Sequence, residues 1–133
     1  MTGAFGTVSG DPCPCAGPGE RHQFATHCGP LLRGEALPGT PEATMRSRYT
    51  AYALGDRDHL VRTWHPRTRP GELDLDPALR WVGLTVTRAE GDQVAFEAHW
   101  MSGEGRTLQR GVLTETSRFE RRGGRWLYVG ATD

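Results

Sequence analysis

The spacing of apolar positions predicts helices in the first half of the chain. From Ala43 to Leu54, apolar or aromatic side chains recur at intervals of three and four, which is typical of an amphipathic helix. Thr40 or Thr44 could cap this helix, and Gly55 ends it. A second short helix is predicted from Asp56 to Trp64, with Asp56 as its cap. The inward positions of the two helices are Met45, Tyr49, Tyr52, Ala53, Leu60 and Val61.

The spacing changes to alternation in the second half, which predicts strands. Val82, Leu84 and Val86 alternate from Trp81 to Thr87, and Gly91-Asp92 supplies a hairpin turn. Further strands are predicted at Gln93 to Met101, Leu108 to Arg121 and Arg125 to Val129, separated by glycine-containing turns. Helices followed by a four-stranded antiparallel meander predict an α+β fold, with the helices packed on one face of the sheet.

Composition and charge exclude several classes of function. The 133 residues carry no net charge, so no overall field attracts nucleic acid or an anionic membrane surface. No stretch resembles a signal peptide or a membrane span, and we expect a cytoplasmic protein. All 16 basic residues are arginine, which excludes Schiff-base chemistry and a P-loop lysine. No GxSxG, GxGxxG or HExxH pattern is present.

The 3 cysteines of the chain lie close together near its start. Cys13 and Cys15 form one pair, His27 and Cys28 form another, and a loop containing Gly17 and Gly19 joins the pairs. Three thiolates and an imidazole suit tetrahedral Zn²⁺, and four protein ligands leave no open position for catalysis. We therefore predict a structural zinc site. His22 is a second candidate for the histidine ligand, and a disulfide or free thiols is the alternative to zinc.

These patterns predict an organisation of the chain into segments. We expect residues 1–10 to be disordered, 11–32 to form a zinc hook, 33–42 to be a linker rich in proline and glycine, and 43–131 to form the α+β domain.

The order of motifs from Asp11 to Val129 resembles the YchJ-like family. It begins with Cys-Pro-Cys and Cys-Gly-Pro, continues through MRSRYTAY and TWHP, and ends with WVGL, SRF and WLY. The resemblance implies a SEC-C zinc motif, as found at the end of the SecA translocase, joined to a cystatin-like cone domain of the nuclear transport factor two type. The hook departs from the usual SEC-C pattern by a longer loop and by the order His27-Cys28.

A cone fold often leaves a pocket, and the matched motifs supply candidates for its lining. His65 is a candidate acid or base, with Tyr49, Tyr128 or an arginine polarising a carbonyl. The alternative is that a histidine before proline commonly hydrogen-bonds a free carbonyl at a helix end. Arg46 and Arg48 suit a carboxylate or phosphate ligand, but we favour ion pairs with Glu115 or Asp56. The candidate pocket residues are Arg46, Arg48, Tyr49, Trp64, His65, Ser117, Arg118, Trp126 and Tyr128. The four tryptophans, Trp64, Trp81, Trp100 and Trp126, are expected in the core.

Three functions follow as hypotheses. The first is a non-catalytic adaptor or ligand-binding module, with a protein partner at the hook or a small molecule in the pocket. The second is a small-molecule enzyme of the hydratase, isomerase or cyclase type. The third, ranked last, is RNA binding through the hook and the arginines near the final hairpin, Arg118, Arg121, Arg122 and Arg125. The oligomeric state stays open, and a homodimer is one option.

Overall fold

Four antiparallel strands follow three helices in chain order, as the sequence predicts. The computed structural model describes residues 11–132. Its helices are α1 (Cys28–Leu32), α2 (Pro41–Leu54) and α3 (Arg57–Arg62), and its strands are β1 (Leu79–Glu90), β2 (Gln93–Ser102), β3 (Gln109–Arg122) and β4 (Arg125–Ala131). The strands pair as a simple meander in the order β1-β2-β3-β4, and the α+β cone fold is confirmed. The predicted disorder of residues 1–10 lies outside the described residues. None of the described helices is both long and apolar enough to cross a membrane.

Helix α2 begins two residues before the predicted start. The hydroxyl of Thr40 accepts a hydrogen bond from the Ala43 amide at 3.0 Å, so Thr40 is the cap, and Pro41 occupies the first turn. Gly55 ends the helix with a φ of 77°, a conformation that glycine adopts without strain.

Helix α3 ends before the predicted Trp64. Its cap is Asp56, whose carboxylate accepts from the His59 amide at 3.1 Å. After Arg62 the backbone instead pairs with β4: the Tyr128 amide donates to Thr63 O, and the His65 amide donates to Tyr128 O, both at 2.8 Å. This pairing with the edge of the sheet competes with further helical hydrogen bonds, which explains the earlier end.

The predicted inward face of β1 is wrong at one position. The register with β2 shifts between Trp81 and Gly83, and Val82 at this bulge is 53% exposed. The extra residue brings Trp81 to the side of the core, where Leu84 is buried. Alternation alone cannot reveal a bulge, because the bulge is a break in the alternation.

The interior of α2 is buried on all sides, which differs from the amphipathic helix that was predicted. Every residue from Thr44 to Ala51 is buried, including Arg46, Ser47 and Arg48. The helix contacts α1, α3 and three of the strands, β1, β2 and β4. A helix enclosed in this way keeps buried polar side chains only where they find hydrogen-bond partners.

The thiols of the hook are part of the core rather than an appendage to it. Cys15 and Cys28 are fully buried, and with Cys13 they belong to one apolar cluster that reaches the sheet. The hook also lies against β1, because a Cβ at Gly17 would meet the Leu84 carbonyl oxygen at 2.5 Å. The other members of the cluster are Met45, Tyr49, Leu84, Val94, Ala98 and Phe119.

The four tryptophans are less buried than the sequence analysis predicts. All four are only partly buried, so none of them belongs to the fully buried core.

His59 makes the stability of the fold depend on pH. Its Nε2 bonds the Ser47 hydroxyl at 2.8 Å, and this hydroxyl donates to Thr44 O. Burial lowers the pKa of His59 from 6.5 to about 4. Between these values the unfolded chain binds the proton more readily, so stability is complete above pH 6.5 and is lost as the pH falls towards 4. We predict that this residue accounts for a loss of about 3 kcal/mol across the interval.

Urea unfolding measured at several pH values checks this prediction. The control is His59→Gln, which keeps an amide donor for Ser47 and cannot titrate. The variant should show a smaller pH slope than the wild type between pH 6.5 and 4. Equal slopes in the two proteins would contradict the assignment.

Candidate metal centre and aromatic cavity

Two short backbone motifs bring the cysteine and histidine side chains together. Pro12 and Gln23 form an isolated antiparallel bridge, and the Cys13 amide donates to His22 O at 2.7 Å, so the hook folds back on itself. Cys28 begins α1 immediately after a 3₁₀ turn. The ligand atoms of Cys13, Cys15, His27 and Cys28 consequently lie within 4.8 Å of one another and form a possible metal-binding site.

The spacing of the ligand atoms fits a tetrahedron. The Cys15 sulfur lies 3.6 Å from that of Cys13 and 3.7 Å from that of Cys28. Nδ1 of His27 lies 3.3 Å from the Cys15 sulfur and 3.5 Å from the Cys28 sulfur. A four-coordinate thiolate and imidazole centre has sulfur–sulfur edges of about 3.8 Å and sulfur–nitrogen edges of about 3.6 Å. Bonded disulfide sulfurs are only about 2.05 Å apart, so these thiols are not disulfide-bonded.

Mutual hydrogen bonds and burial shift the pKa values of the three thiols in opposite directions. Hydrogen bonds from the Cys15 and Cys28 thiols lower the pKa of Cys13. The hydrogen bond with Cys13, together with burial, raises the pKa of Cys15 to about 11. Hydrogen bonds with Cys13 and Cys15, together with burial, raise the pKa of Cys28 further. A cation that deprotonates all three thiols would release protons and remove the penalty of packing buried thiolates together.

Helix α2 contacts the sulfur atoms through a buried hydroxyl. Thr50 is fully buried, and its Oγ1 lies 3.3 Å from the Cys28 sulfur and 3.7 Å from the Cys13 sulfur. A hydroxyl at this position stabilises thiolate charge and orients the ligands from outside the metal sphere. No local pattern predicts this contact, because Thr50 is separated from the cysteines along the chain.

The two candidate histidines occupy different places. His27 directs Nδ1 into the cluster, whereas the ring of His22 stacks on the His27 ring with centroids 4.2 Å apart. His22 Nε2 lies 4.0 Å from the Glu20 carboxylate. The stacking limits rotation of the His27 ring.

Arg46 ties α2 to the hook instead of lining a pocket. Its guanidinium donates to Cys15 O at 2.8 Å and forms two hydrogen bonds with Glu20, at 2.8 and 3.0 Å. A further hydrogen bond reaches Glu42 at 3.0 Å. The Arg46 hydrogen bonds lower the pKa of Glu20 to about 2. Glu115 and Asp56, the partners expected from the sequence, do not hydrogen-bond Arg46 or Arg48 in the described residues, so this expectation was wrong.

An aromatic cavity of about 250 Å³ lies between α2 and the sheet. Arg48, only 5% exposed, lies on its wall with the guanidinium 4.7 Å from the Trp64 ring centre and 4.5 Å from that of Tyr128. Burial lowers the pKa of Arg48 to about 10, so the group still carries its charge at neutral pH. The lining residues are Met45, Arg48, Tyr49, Tyr52, Trp64, Trp81, Phe96, Ala98, Leu113, Glu115, Ser117, Phe119 and Tyr128.

Glu115 is the acidic group of this cavity. Its Oε2 accepts hydrogen bonds from the hydroxyls of Ser117 at 2.7 Å and Tyr128 at 2.8 Å. Burial and the neighbouring carboxylate raise the pKa of Tyr128, so its phenol stays protonated and donates. Sequence reasoning used Glu115 only as an ion-pair partner, although its position between Leu113 and Ser117 in an alternating strand places it on the inward face.

The structure brings some of the candidate pocket residues together and separates others. Arg48, Tyr49, Trp64, Ser117 and Tyr128 line the cavity, and the other four candidates lie outside it. Arg46 projects about 200° around the helix from Arg48, towards the hook. Arg118 follows Ser117 in a strand and therefore faces the other way. Trp126 packs beside Arg121, with the guanidinium 6.0 Å from its ring centre.

His65 is buried, and both of its ring nitrogens are engaged. Nδ1 accepts from the Arg67 amide at 3.0 Å, so Nε2 carries the proton and donates to Glu120 at 2.8 Å. The carboxylate partner lies 55 residues away in sequence. These hydrogen bonds attach the loop that follows α3 to strand β3. They also leave no free lone pair on the His65 ring for proton abstraction.

The chain matches known proteins along most of its length. A family model described as the middle NTF2-like domain of YchJ matches residues 40–131. A UPF0225 protein of Deinococcus radiodurans is 47% identical over 122 residues, covering 92% of this chain and 89% of that protein. A UPF0225 protein of Streptomyces coelicolor is 45% identical over 118 residues, covering 89% and 92%.

Solved structures show the same arrangement. The solution structure of a SEC-C motif containing protein from Rhodopseudomonas palustris has a TM-score of 0.74 and 32% identity, and the match covers 92% of this chain and all of that one. The crystal structure of a SEC-C motif containing protein from Psychrobacter arcticus has a TM-score of 0.70 at 21% identity, with 95% of this chain and 85% of that chain covered, and supports the fold alone. With a family model matching more than half of its residues, the chain belongs to the YchJ-like family, together with the UPF0225 proteins.

Proposed function

We propose that this protein is a small-molecule-binding module whose fold is fastened by one structural Zn²⁺. The observation that carries the proposal is the aromatic cavity with a buried arginine on its wall. Ligand sites are typically apolar concavities with a few fixed polar groups, and this cavity has that composition.

The donor set supports zinc as the ion. Three thiolates and one imidazole are soft to intermediate ligands that select Zn²⁺ over hard cations such as Mg²⁺ or Ca²⁺. All four positions of the tetrahedron are filled by protein, which is the pattern of a structural site. In such a site Cys13, Cys15, His27 and Cys28 hold the ion, while Thr50 and Arg46 hold the ligands in place from α2. The ion supplies a cross-link between the hook and the core.

The cavity supports binding rather than a particular reaction. Its walls are mostly aromatic side chains, and its charged groups among the described residues are Arg48 and Glu115. His65, the candidate base, lies outside it. Binding of a protein partner by the hook stays a prediction, and it would use the exposed outer residues of the hook because the cysteines are buried.

A cavity-filling substitution tests the binding role. Ala98 is 2% exposed and lines the cavity, whereas Ala95 lies on the opposite face of the same strand. The probes are benzamide, benzoate, benzamidinium and acetophenone, which share one shape, titrated to millimolar concentration and followed by amide chemical shifts. We predict that at least one probe shifts cavity residues of the wild type and of Ala95→Leu, and that none does so in Ala98→Leu.

Either of two results would count against a binding role. One is that no probe shifts cavity residues in the wild-type protein. The other is that the folded Ala98→Leu variant binds the probes as well as Ala95→Leu does.

The hydroxyl of Thr50 tests the metal site without removing a ligand. Thr50→Val keeps the shape of the side chain but cannot hydrogen-bond the Cys28 sulfur, and we predict a loss of about 10- to 100-fold in Zn²⁺ affinity. Thr50→Ser retains the hydroxyl and should stay within a few-fold of the wild type. Competition with a chromophoric chelator measures both. Equal affinities for the valine and serine variants would show that the hydroxyl does not support the metal ligands.

A further inference from the structure

We infer that the cavity selects an uncharged planar ligand that presents a hydrogen-bond acceptor and a donor side by side, as the edge of a carboxamide or lactam does. The inference rests on the proposed binding function and adds the chemical class of the ligand. It follows from the polar groups that the cavity contains and from the hydrogen bonds they have already made.

The charges of the lining cancel. Arg48 and Glu115 are its charged residues in the described chain, and the tyrosines on its wall are neutral at physiological pH. A ligand anion placed here would be attracted by Arg48 but repelled by Glu115, and a cation would meet the reverse. Either ion also loses its hydration on entry, and its opposing interactions with Arg48 and Glu115 do not offset that desolvation cost. A neutral dipole has a smaller desolvation cost and can interact favourably with both groups.

Arg48 retains donor capacity. Its Nη1 donates to Leu60 O at 2.9 Å and to Thr63 Oγ1 at 2.8 Å, which fixes the position of the group. Within residues 11–132 these are its hydrogen bonds of 3.5 Å or less, and Tyr52 is a further, weaker hydrogen-bond partner of the same guanidinium. A guanidinium has five N–H donors, so the remaining ones suit an acceptor such as a ligand carbonyl.

Trp64 packs beside the guanidinium and contributes an aromatic wall. Its ring stacks on the Arg48 guanidinium, and its Nε1 is buried with no hydrogen-bond partner among the described residues. A buried unpaired N–H is costly, so Trp64 is held by its packing on Arg48 and Tyr128 rather than by a hydrogen bond.

Glu115 supplies the complementary acceptor. Both of its hydrogen bonds, from Ser117 and Tyr128, use Oε2, and Oε1 accepts none within the described part of the chain. Oε1 can therefore accept a hydrogen bond from a ligand N–H or O–H, while a neighbouring carbonyl of the ligand accepts one from the Arg48 guanidinium. The aromatic walls favour a flat molecule, and about 250 Å³ is below the range of roughly 300–1,000 Å³ for drug-sized ligands, which indicates a small one.

The four isosteric probes separate the ligand classes. Benzamide offers a neutral donor and acceptor, benzoate an anion, benzamidinium a cation, and acetophenone an acceptor alone. We expect benzamide to bind the cavity of the metal-loaded wild-type protein at least about tenfold more tightly than the other three, as judged by dissociation constants from the shift titrations.

Glu115→Gln tests both the charge and the acceptor that Glu115 supplies. It keeps the shape but removes the negative charge, and because Ser117 and Tyr128 hold the single amide oxygen, an NH2 group replaces the acceptor Oε1. We therefore expect benzoate to gain about tenfold and benzamide to lose about tenfold in affinity. Amide spectra of the variant establish that it is folded.

Each remaining outcome overturns the inference in a recognisable way. Binding of benzoate, benzamidinium or acetophenone at the cavity within about tenfold of benzamide, or more tightly, disproves the neutral donor–acceptor class and leaves the proposed binding function standing. An unchanged benzoate affinity in Glu115→Gln disproves the charge argument. Failure of all four probes removes the proposed function together with the inference.

Discussion

The contact between the buried thiol cluster and α2 is the interaction on which the other parts of this structure depend. Thr50 bonds the sulfur atoms, and Arg46 bonds the carbonyl of Cys15 while pairing with Glu20. Because Cys15 and Cys28 are fully buried among the core side chains, the hook forms one wall of the core. A cation in the cluster would thus fasten the hook, the central helix and the sheet at one point.

The opposite side of helix α2 forms part of the cavity wall. Positions 46 and 48 lie about 200° apart on a helix, so one arginine reaches the hook and the next reaches the cavity. Tyr49 belongs to the core cluster and to the cavity wall, one position before Thr50 at the sulfur atoms. The possible metal site and the cavity therefore share helix α2.

Local patterns sufficed for the order of the elements and for the cluster of four candidate metal ligands, because both are encoded in short spacings. The caps at Thr40 and Asp56 are local signals of the same kind. The bulge at Val82, the pairing of Arg46 with Glu20 and the place of Glu115 in the cavity depend on residues far apart in sequence. The burial of Arg48 is a tertiary effect that contradicts its usual preference for the surface, and composition could not reveal it.

Hydrogen exchange of the α2 amides, measured with and without the metal, tests the central claim most directly. If the cluster fastens the helix to the core, protection of the amides from Thr44 to Ala51 should fall at least about tenfold when a chelator removes the ion, and Zn²⁺ should restore it. Equal protection of these amides in the loaded and metal-free protein would contradict the account, because the fold would then stand without the cross-link.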